Sequence, residues 1–219
     1  MTTLRMILQE AAKRYKFDNP CDDIKVLKIE KSDIHPFSLE EVWLFLNHVR
    51  KDYKNYYTVR FFTGMRTSEI DGLTWEHVDF DRREIRVRQA YVKGVMGKTK
   101  TQESNRDIAM SPWVYEALLA QKAVTYGRSK FVFCNRNGEP MDYHNVNRKV
   151  WYPTLRLLGL KPRNAYQTRH TAATLWLAAG EAPEWIARQM GHANTMMLFK
   201  VYSRYVPNMT RRDGSAFEA

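Results

Sequence analysis

Residues 166–180 read YQTRHTAATLWLAAG, and they set an arginine and a histidine side by side where an apolar helix begins. Ala172, Leu175, Trp176 and Ala179 recur at the spacing of a single helix face. Thr168 is the expected N-cap, and Gly180 the left-handed residue that ends the helix. Arg169 and His170 then fall in the first turn. Free backbone N–H groups and the positive end of the helix dipole already favour an anion there, so a guanidinium is misplaced unless an anion lies nearby. Two partners resolve the conflict: a phosphate, or a carboxylate from elsewhere in the fold with His170 hydrogen-bonded in the core.

Composition bears on the choice. The 219 residues include 35 Lys and Arg against 24 Asp and Glu, a net charge of +11, which favours a polyanionic partner such as nucleic acid. The 44% hydrophobic content suffices for a substantial core and excludes a wholly disordered chain. Cys21 and Cys134 form no zinc-type cluster, so free thiols in a reducing compartment are expected, with no metal and no cofactor. The N-terminal stretch MTTLRMILQEAAKRY is neither a signal-peptide core nor a membrane span, and the expectation is a soluble intracellular protein without a membrane partner.

Outward from residue 166, the pattern is mainly helical. Leu4, Ile7, Leu8, Ala11 and Tyr15 form an amphipathic stripe that ends near Pro20, and residues 21–36 read as an extended linker. PFSLEEVWLFLNHVRKDY (36–53) opens with a Ser38/Glu41 capping box and a Phe37/Val42 staple, which places a domain boundary near residue 36. NYYTVRFFTGM (55–65) reads as a buried helix leading into Gly64. EIRVRQAYV (84–92) and NRDIAM (105–110) read as strands around the loop KGVMGKTKTQES (93–104), and KFVFCN (130–135) as a further short strand. Helices are expected in SPWVYEALLAQKAV (111–124), HNVNRKVWYPTLRLLG (144–159) and EAPEWIARQMGH (181–192). The fold class is α+β, mainly α-helical with a small antiparallel sheet.

Four stretches carry chemistry. TGMRTSEIDGLTW supplies Arg66 and Glu69, KTKTQESNRDIAM supplies Lys100, YQTRHTAATLWLAAG supplies Arg169, and QMGHANTMMLFKVYSRY supplies His192 and Tyr202. In order and local spacing, from residue 37 to residue 206, they resemble the boxes of the phage-type tyrosine recombinases, or integrases. The resemblance implies the recombinase catalytic-domain fold over residues 36–219. It also implies that residues 1–35 are the end of an N-terminal core-binding domain and its linker, so that the chain is a catalytic fragment. The implied reaction is site-specific breakage and rejoining of double-stranded DNA through a 3′-phosphotyrosine on Tyr202.

In that chemistry two guanidiniums, Arg66 and Arg169, clamp the non-bridging oxygens without a metal. The phenol forms an ester that conserves bond energy for rejoining, and a lysine on a hairpin loop protonates the departing 5′-oxygen. Lys100 is the aligned acid, with Lys98 as the competing choice. Tyr205 competes with Tyr202, which stands ten positions after His192. Glu69 braces Arg66, and His192 donates to the phosphate. Tyr166 stands where the family often has histidine. Its hydroxyl donates a hydrogen bond, but with an ordinary pKa of about 10 it does not exchange protons near neutrality. His170 is expected as a packing or supporting residue. The resemblance further implies a homotetramer on paired DNA sites, accessory DNA-bending proteins, and residence in the cytoplasm of a prokaryotic cell at the nucleoid. Two other readings stand beside it: a helix-turn-helix regulator built on TLWLAAGEAPEWIARQMGH, and a type IB topoisomerase that relaxes one strand.

Overall fold

The computed structural model describes residues 2–24, 34–98 and 104–202, and the chain divides into two compact units, Met1–Asp33 and Ile34–Ala219. The first unit is built on α1 (Thr2–Tyr15), whose last turn carries Lys13 and Arg14 at the negative end of its dipole. Leu4, Ile7 and Tyr15 of its apolar stripe are exposed, while Leu8 and Ala11 are half-buried. Most of the expected linker, residues 25–33, lies outside the described residues.

The second unit starts at α2 (Leu39–His48). Its capping box forms as expected: the Ser38 hydroxyl accepts the Glu41 N–H at 3.2 Å and the Glu41 carboxylate accepts the Ser38 N–H at 3.1 Å. Phe37 and Val42 are both buried. The segment before α2 is pinned by Arg163, which pairs with Glu41 at 2.9 Å, donates to the carbonyls of His35 and Pro36, and stacks 3.9 Å from the Phe37 ring centre. Next, α3 (Lys51–Thr63) is buried on nearly every side from Tyr56 onward and ends in left-handed Gly64. The aromatic rings of Phe37, Phe45, Tyr57 and Phe61 surround Trp151, whose indole N–H donates to the Arg163 carbonyl at 2.7 Å.

After α4 (Thr67–Asp71), the chain forms β1 (Val78–Asp79), β2 (Glu84–Val87), β3 (Gln89–Val92), β4 (Val95–Lys98) and β5 (Arg106–Ala109). These make two antiparallel sheets, one in the order β1-β2-β5 and one a β3-β4 hairpin. Ile85 and Val87 point inward, as their alternation requires. Two expectations are corrected here. The single strand over 84–92 breaks at Arg88, whose guanidinium takes the carbonyls of Val87 and Arg106, and its halves join different sheets. The loop expected over 93–104 begins as strand β4, because Lys93 and Gly94 both adopt positive φ (50° and 84°) and close a two-residue hairpin turn.

The remaining elements are α5 (Pro112–Thr125), α6 (Tyr143–Val146), a π-type turn over Asn147–Trp151, α7 (Tyr152–Leu157), α8 (Gln167–Ala178), α9 (Pro183–Met190) and α10 (Thr195–Tyr202). The strand expected at 130–135 is reduced to isolated bridges, Thr74 to Phe131 and Cys134 to Pro140. The carbonyl of Val132 is already taken by the side chains of Gln121 and Thr125, which leaves no ladder to extend. Thr168 is not the N-cap of α8. It lies inside the helix with its hydroxyl on the Ala165 carbonyl at 2.9 Å, and Tyr166 occupies the cap position.

One buried cation ties these pieces together behind the site. Arg60 of α3 donates to the Tyr56 hydroxyl at 2.9 Å, to Thr67 Oγ1 at 2.8 Å and to the Ala165 carbonyl at 3.0 Å. It thereby joins the start of α4 to the start of α8. The Tyr56 hydroxyl in turn donates a hydrogen bond to Asp71 at 2.7 Å. Burial raises the Asp71 carboxyl to about 6 against the opposing pull of Arg60.

Candidate active site

Two left-handed glycines frame the site. Gly64 (φ 61°) closes α3 and Gly191 (φ 64°) closes α9. At Gly64 a side chain is also excluded by space, since a Cβ would come within 2.8 Å of the Met190 sulfur. At Gly191 the turn folds back so that the His192 N–H reaches the Ala187 carbonyl at 2.9 Å, a Schellman closure that leaves the last carbonyls of α9 facing inward.

Arg169 fills the space between these corners. Its guanidinium, with the residue 2% exposed, donates Nη1 to the Gly64 carbonyl at 2.6 Å and Nη2 to the Met190 carbonyl. The cation therefore leaves the positive start of its own helix and sits at the negative ends of α3 and α9. Among the described residues it makes no ion pair with a carboxylate, and backbone carbonyls hold it instead. Burial lowers its pKa to about 10; Tyr166 and Glu69 oppose the shift and the neighbouring Arg66 and Arg106 add to it.

Arg66 caps α4. Glu69, one turn on, accepts the Arg66 backbone N–H at 2.8 Å and the guanidinium Nη1 at 2.7 Å, and Nη2 reaches the Gly191 carbonyl at 3.2 Å. The Arg66 side chain is 32% exposed and open to a ligand, whereas Glu69 is buried. Burial alone would raise the Glu69 carboxyl, but bonds from Arg106 and the charges of Arg106 and Arg66 outweigh it and hold the group at about 2.

Arg106 escaped the sequence reading. It opens β5 and donates to both Glu69 oxygens, at 3.0 and 2.8 Å, and to the Gln189 carbonyl at 2.6 Å. A signal was present in NRDIAM: strand alternation puts Arg106 on the same buried face as Ile108, where a charge needs a partner. Two guanidiniums, Arg66 and Arg106, thus share one carboxylate while Arg169 stands nearby on backbone carbonyls, which leaves the corner with a net positive charge suited to an anion.

His192 presents Nε2 to Arg169 Nη2 at 3.3 Å, and burial followed by the surrounding arginines lowers its pKa to about 4. The neutral ring, facing a donor through Nε2, carries its proton on Nδ1, a buried atom without a hydrogen-bond partner among the described residues.

Tyr202, the last residue of α10, is 2% exposed, and its hydroxyl lies 2.8 Å from His170 Nδ1. Burial pushes the phenol well above its ordinary value, with Arg169 opposing, while burial and then Arg169 lower His170 to about 4. At neutral pH the phenol is therefore the donor and the neutral imidazole the acceptor. Tyr166 stands 40% exposed with its ring edge-on to His170, centroids 5.0 Å apart.

The structure brings together Arg66, Glu69, Arg169 and His192 around the two glycine corners, and Tyr166, His170 and Tyr202 beside them. Lys100 and Tyr205 lie outside the described residues, as does the side chain of Lys98 at the end of β4.

Comparison with known proteins adds an independent line. The model of the phage integrase family matches residues 38–208. The chain is 31% identical over 234 aligned residues to the defective protein IntQ of Escherichia coli (strain K12), covering 94% of this chain and 59% of that protein. It is 28% identical to prophage integrase IntR of the same strain, covering 87% of this chain and 52% of the relative. The chain thus spans little more than half the length of these curated relatives. In fold it is similar to the Tn1549 transposon integrase solved in complex with a circular intermediate DNA, with a TM-score of 0.77 at 22% identity over 99% of this chain and 76% of that one.

Proposed function

The chain belongs to the phage integrase family, and from that membership and its site we propose that it carries the catalytic machinery of a site-specific DNA recombinase. The observation that carries the reading is the pairing of a positively charged corner (Arg66, Arg106 and Arg169 around Glu69) with a buried phenol that already gives its hydrogen bond to a neutral histidine. The corner binds the scissile phosphate of double-stranded DNA. Arg66 and Arg169 offset the charge that builds on its non-bridging oxygens, joined by the Tyr166 hydroxyl and, with its proton moved to Nε2, by His192. The Tyr202 oxygen forms a bond to phosphorus, its proton passes to His170, and the bond to the 5′-oxygen breaks. That oxygen takes a proton from the hairpin lysine, Lys100 or Lys98. The product is a 3′-phosphotyrosine and a free 5′-hydroxyl, and the reverse sequence with a new 5′-hydroxyl rejoins the strand.

Residues 1–35 are read as the end of a core-binding domain and its linker. Family membership alone supports the finer readings of a homotetramer on paired sites, accessory DNA-bending proteins, and a cytoplasmic, nucleoid-associated protein. A helix-turn-helix regulator leaves the Glu69 cluster and the Tyr202–His170 pair without a purpose.

The test is a library of nicked suicide duplexes randomised around the nick. Covalent protein–DNA adducts, recovered under denaturing conditions and sequenced, are expected to form and to converge on one sequence. They should form equally in EDTA, because guanidiniums carry the charge that a metal would otherwise hold. No adduct with any duplex, or adducts only when magnesium is added, would refute the reading.

A further inference from the structure

Arg106 enters the site from β5, six positions after Lys100 in sequence, and strand transfer as set out above gives it no task. Its bonding is specific. The Arg106 side chain is nearly buried, with Nε on the Gln189 carbonyl at 2.6 Å and Nη1 on the Ser104 carbonyl at 3.1 Å. Its fork then takes both Glu69 oxygens, Nη1 on Oε1 at 3.0 Å and Nη2 on Oε2 at 2.8 Å. The Arg66 guanidinium reaches the same carboxylate through Nη1 alone.

We infer that Arg106 is a positioning residue that draws the charge of Glu69 onto itself, so that Arg66 stays free to serve the scissile phosphate. The inference rests on the proposed strand transfer. A buried carboxylate left with one arginine relieves its desolvation by taking that arginine in a two-pronged pair. Without Arg106, Glu69 would claim both prongs of Arg66 and turn it from the open side of the corner. Arg106 prevents this by supplying the fork itself. It does so at a junction of three segments: α4 through Glu69, the end of α9 through Gln189, and the residues just before β5 through Ser104. Gly191 keeps the junction open, since a Cβ there would lie 3.1 to 3.3 Å from three atoms of the Arg106 side chain.

The experiment compares single-turnover cleavage and DNA affinity on the duplex enriched from the suicide library. The proteins are the parent, Arg106→Met, Arg106→Lys, Glu69→Gln and the double variant Glu69→Gln/Arg106→Met, each checked for folding by circular dichroism. Arg106→Met is expected to slow cleavage about 100-fold with little change in affinity, the scale of a misplaced catalytic group. Adding Glu69→Gln removes the charge that captures Arg66, so the double variant should cleave about tenfold faster than Arg106→Met. Arg106→Lys keeps a cation but not the fork and should fall between. Should Arg106→Met fail to fold, the double variant, which buries no unpaired charge, and Arg106→Lys still decide: both should bind DNA as the parent does and cleave more slowly.

Parental cleavage in Arg106→Met would overturn the inference. So would a double variant slower than Arg106→Met, because a merely structural residue accumulates damage and shows no rescue. Failure of the parent itself to form an adduct is a separate result, and it removes the proposed function rather than the role of Arg106 within it.

Discussion

The arginine corner and the nucleophile helix sit side by side but are built differently. At the corner every guanidinium is held by several fixed acceptors: Arg169 by two helix-terminal carbonyls, Arg66 by Glu69 and Gly191, Arg106 by Glu69, Gln189 and Ser104. Behind it Arg60 braces the starts of α4 and α8. Among the described residues, Tyr202 instead hangs at the last turn of α10 on one side-chain hydrogen bond, to His170, and a separate cluster of six buried hydrophobic residues that includes Tyr202 itself. In the proposed reaction the difference would mean a charge clamp set before DNA arrives, as electrostatic preorganisation requires, and a Tyr202 phenol held by a contact light enough to be exchanged for a phosphate.

The comparison can be broken hardest at the leaving group. If Lys100 is the acid, Lys100→Ala should slow cleavage by ~10²–10⁴-fold while affinity barely changes. Replacing the leaving 5′-oxygen with sulfur, which departs without a proton, should restore most of that rate. Rescue of Lys98→Ala instead would move the assignment to Lys98.

On the clamp side, Arg169→Lys keeps the charge but cannot reach the Gly64 and Met190 carbonyls together. A drop in cleavage of ~10²–10³-fold is expected, the scale of losing one preorganised donor at a developing charge. Little change in a single-turnover assay would mean that the corner is not preorganised around Arg169.

On the nucleophile side, His170→Phe removes the acceptor of the phenolic proton and should cost ~10²-fold in cleavage with binding intact. In the parent protein His170 must be neutral to accept, so the cleavage rate should hold down to about pH 4 and fall below it. An acid limb near the ordinary histidine value would show that the ring is not buried as described.

The smallest effect concerns stability. His170 and His192 both have pKa values near 4, below their unfolded values, so the unfolded chain binds more protons as pH drops from about 6.5. Their contribution to stability should be complete above that range and be lost progressively down to about pH 4, against the opposite contribution of the raised Asp71 carboxyl. Thermal melts of the double variant His170→Phe/His192→Phe should lack part of that slope.

What could be read in advance was local. The Ser38/Glu41 box, the left-handed Gly180, and the alternation of Ile85 and Val87 each depend on residues a few positions apart, and each is found in the fold. What was missed depends on distant partners. Arg106 meets Glu69 across 37 positions, and Tyr202 meets His170 across 32, a contact that turns an expected packing residue into the hydrogen-bond acceptor of the Tyr202 phenol. The partners of Arg169 were unreadable for another reason: backbone carbonyls at helix ends carry no side-chain signature. The hairpin turn at Lys93 and Gly94 and strand β4 fall within a stretch read as one loop, because its glycines and lysines carry no apolar alternation.

The most direct test of the light tether is to find which oxygen carries the DNA. The covalent adduct from the enriched suicide duplex is digested with nuclease and protease, and the nucleotide-bearing peptide is sequenced by tandem mass spectrometry. The expected result is a 3′-phosphonucleotide on Tyr202 in the parent protein and no adduct at all in Tyr202→Phe, which should still bind DNA. A nucleotide on Tyr205, or an adduct that persists in Tyr202→Phe, would contradict the assignment of the His170-bonded phenol as the nucleophile.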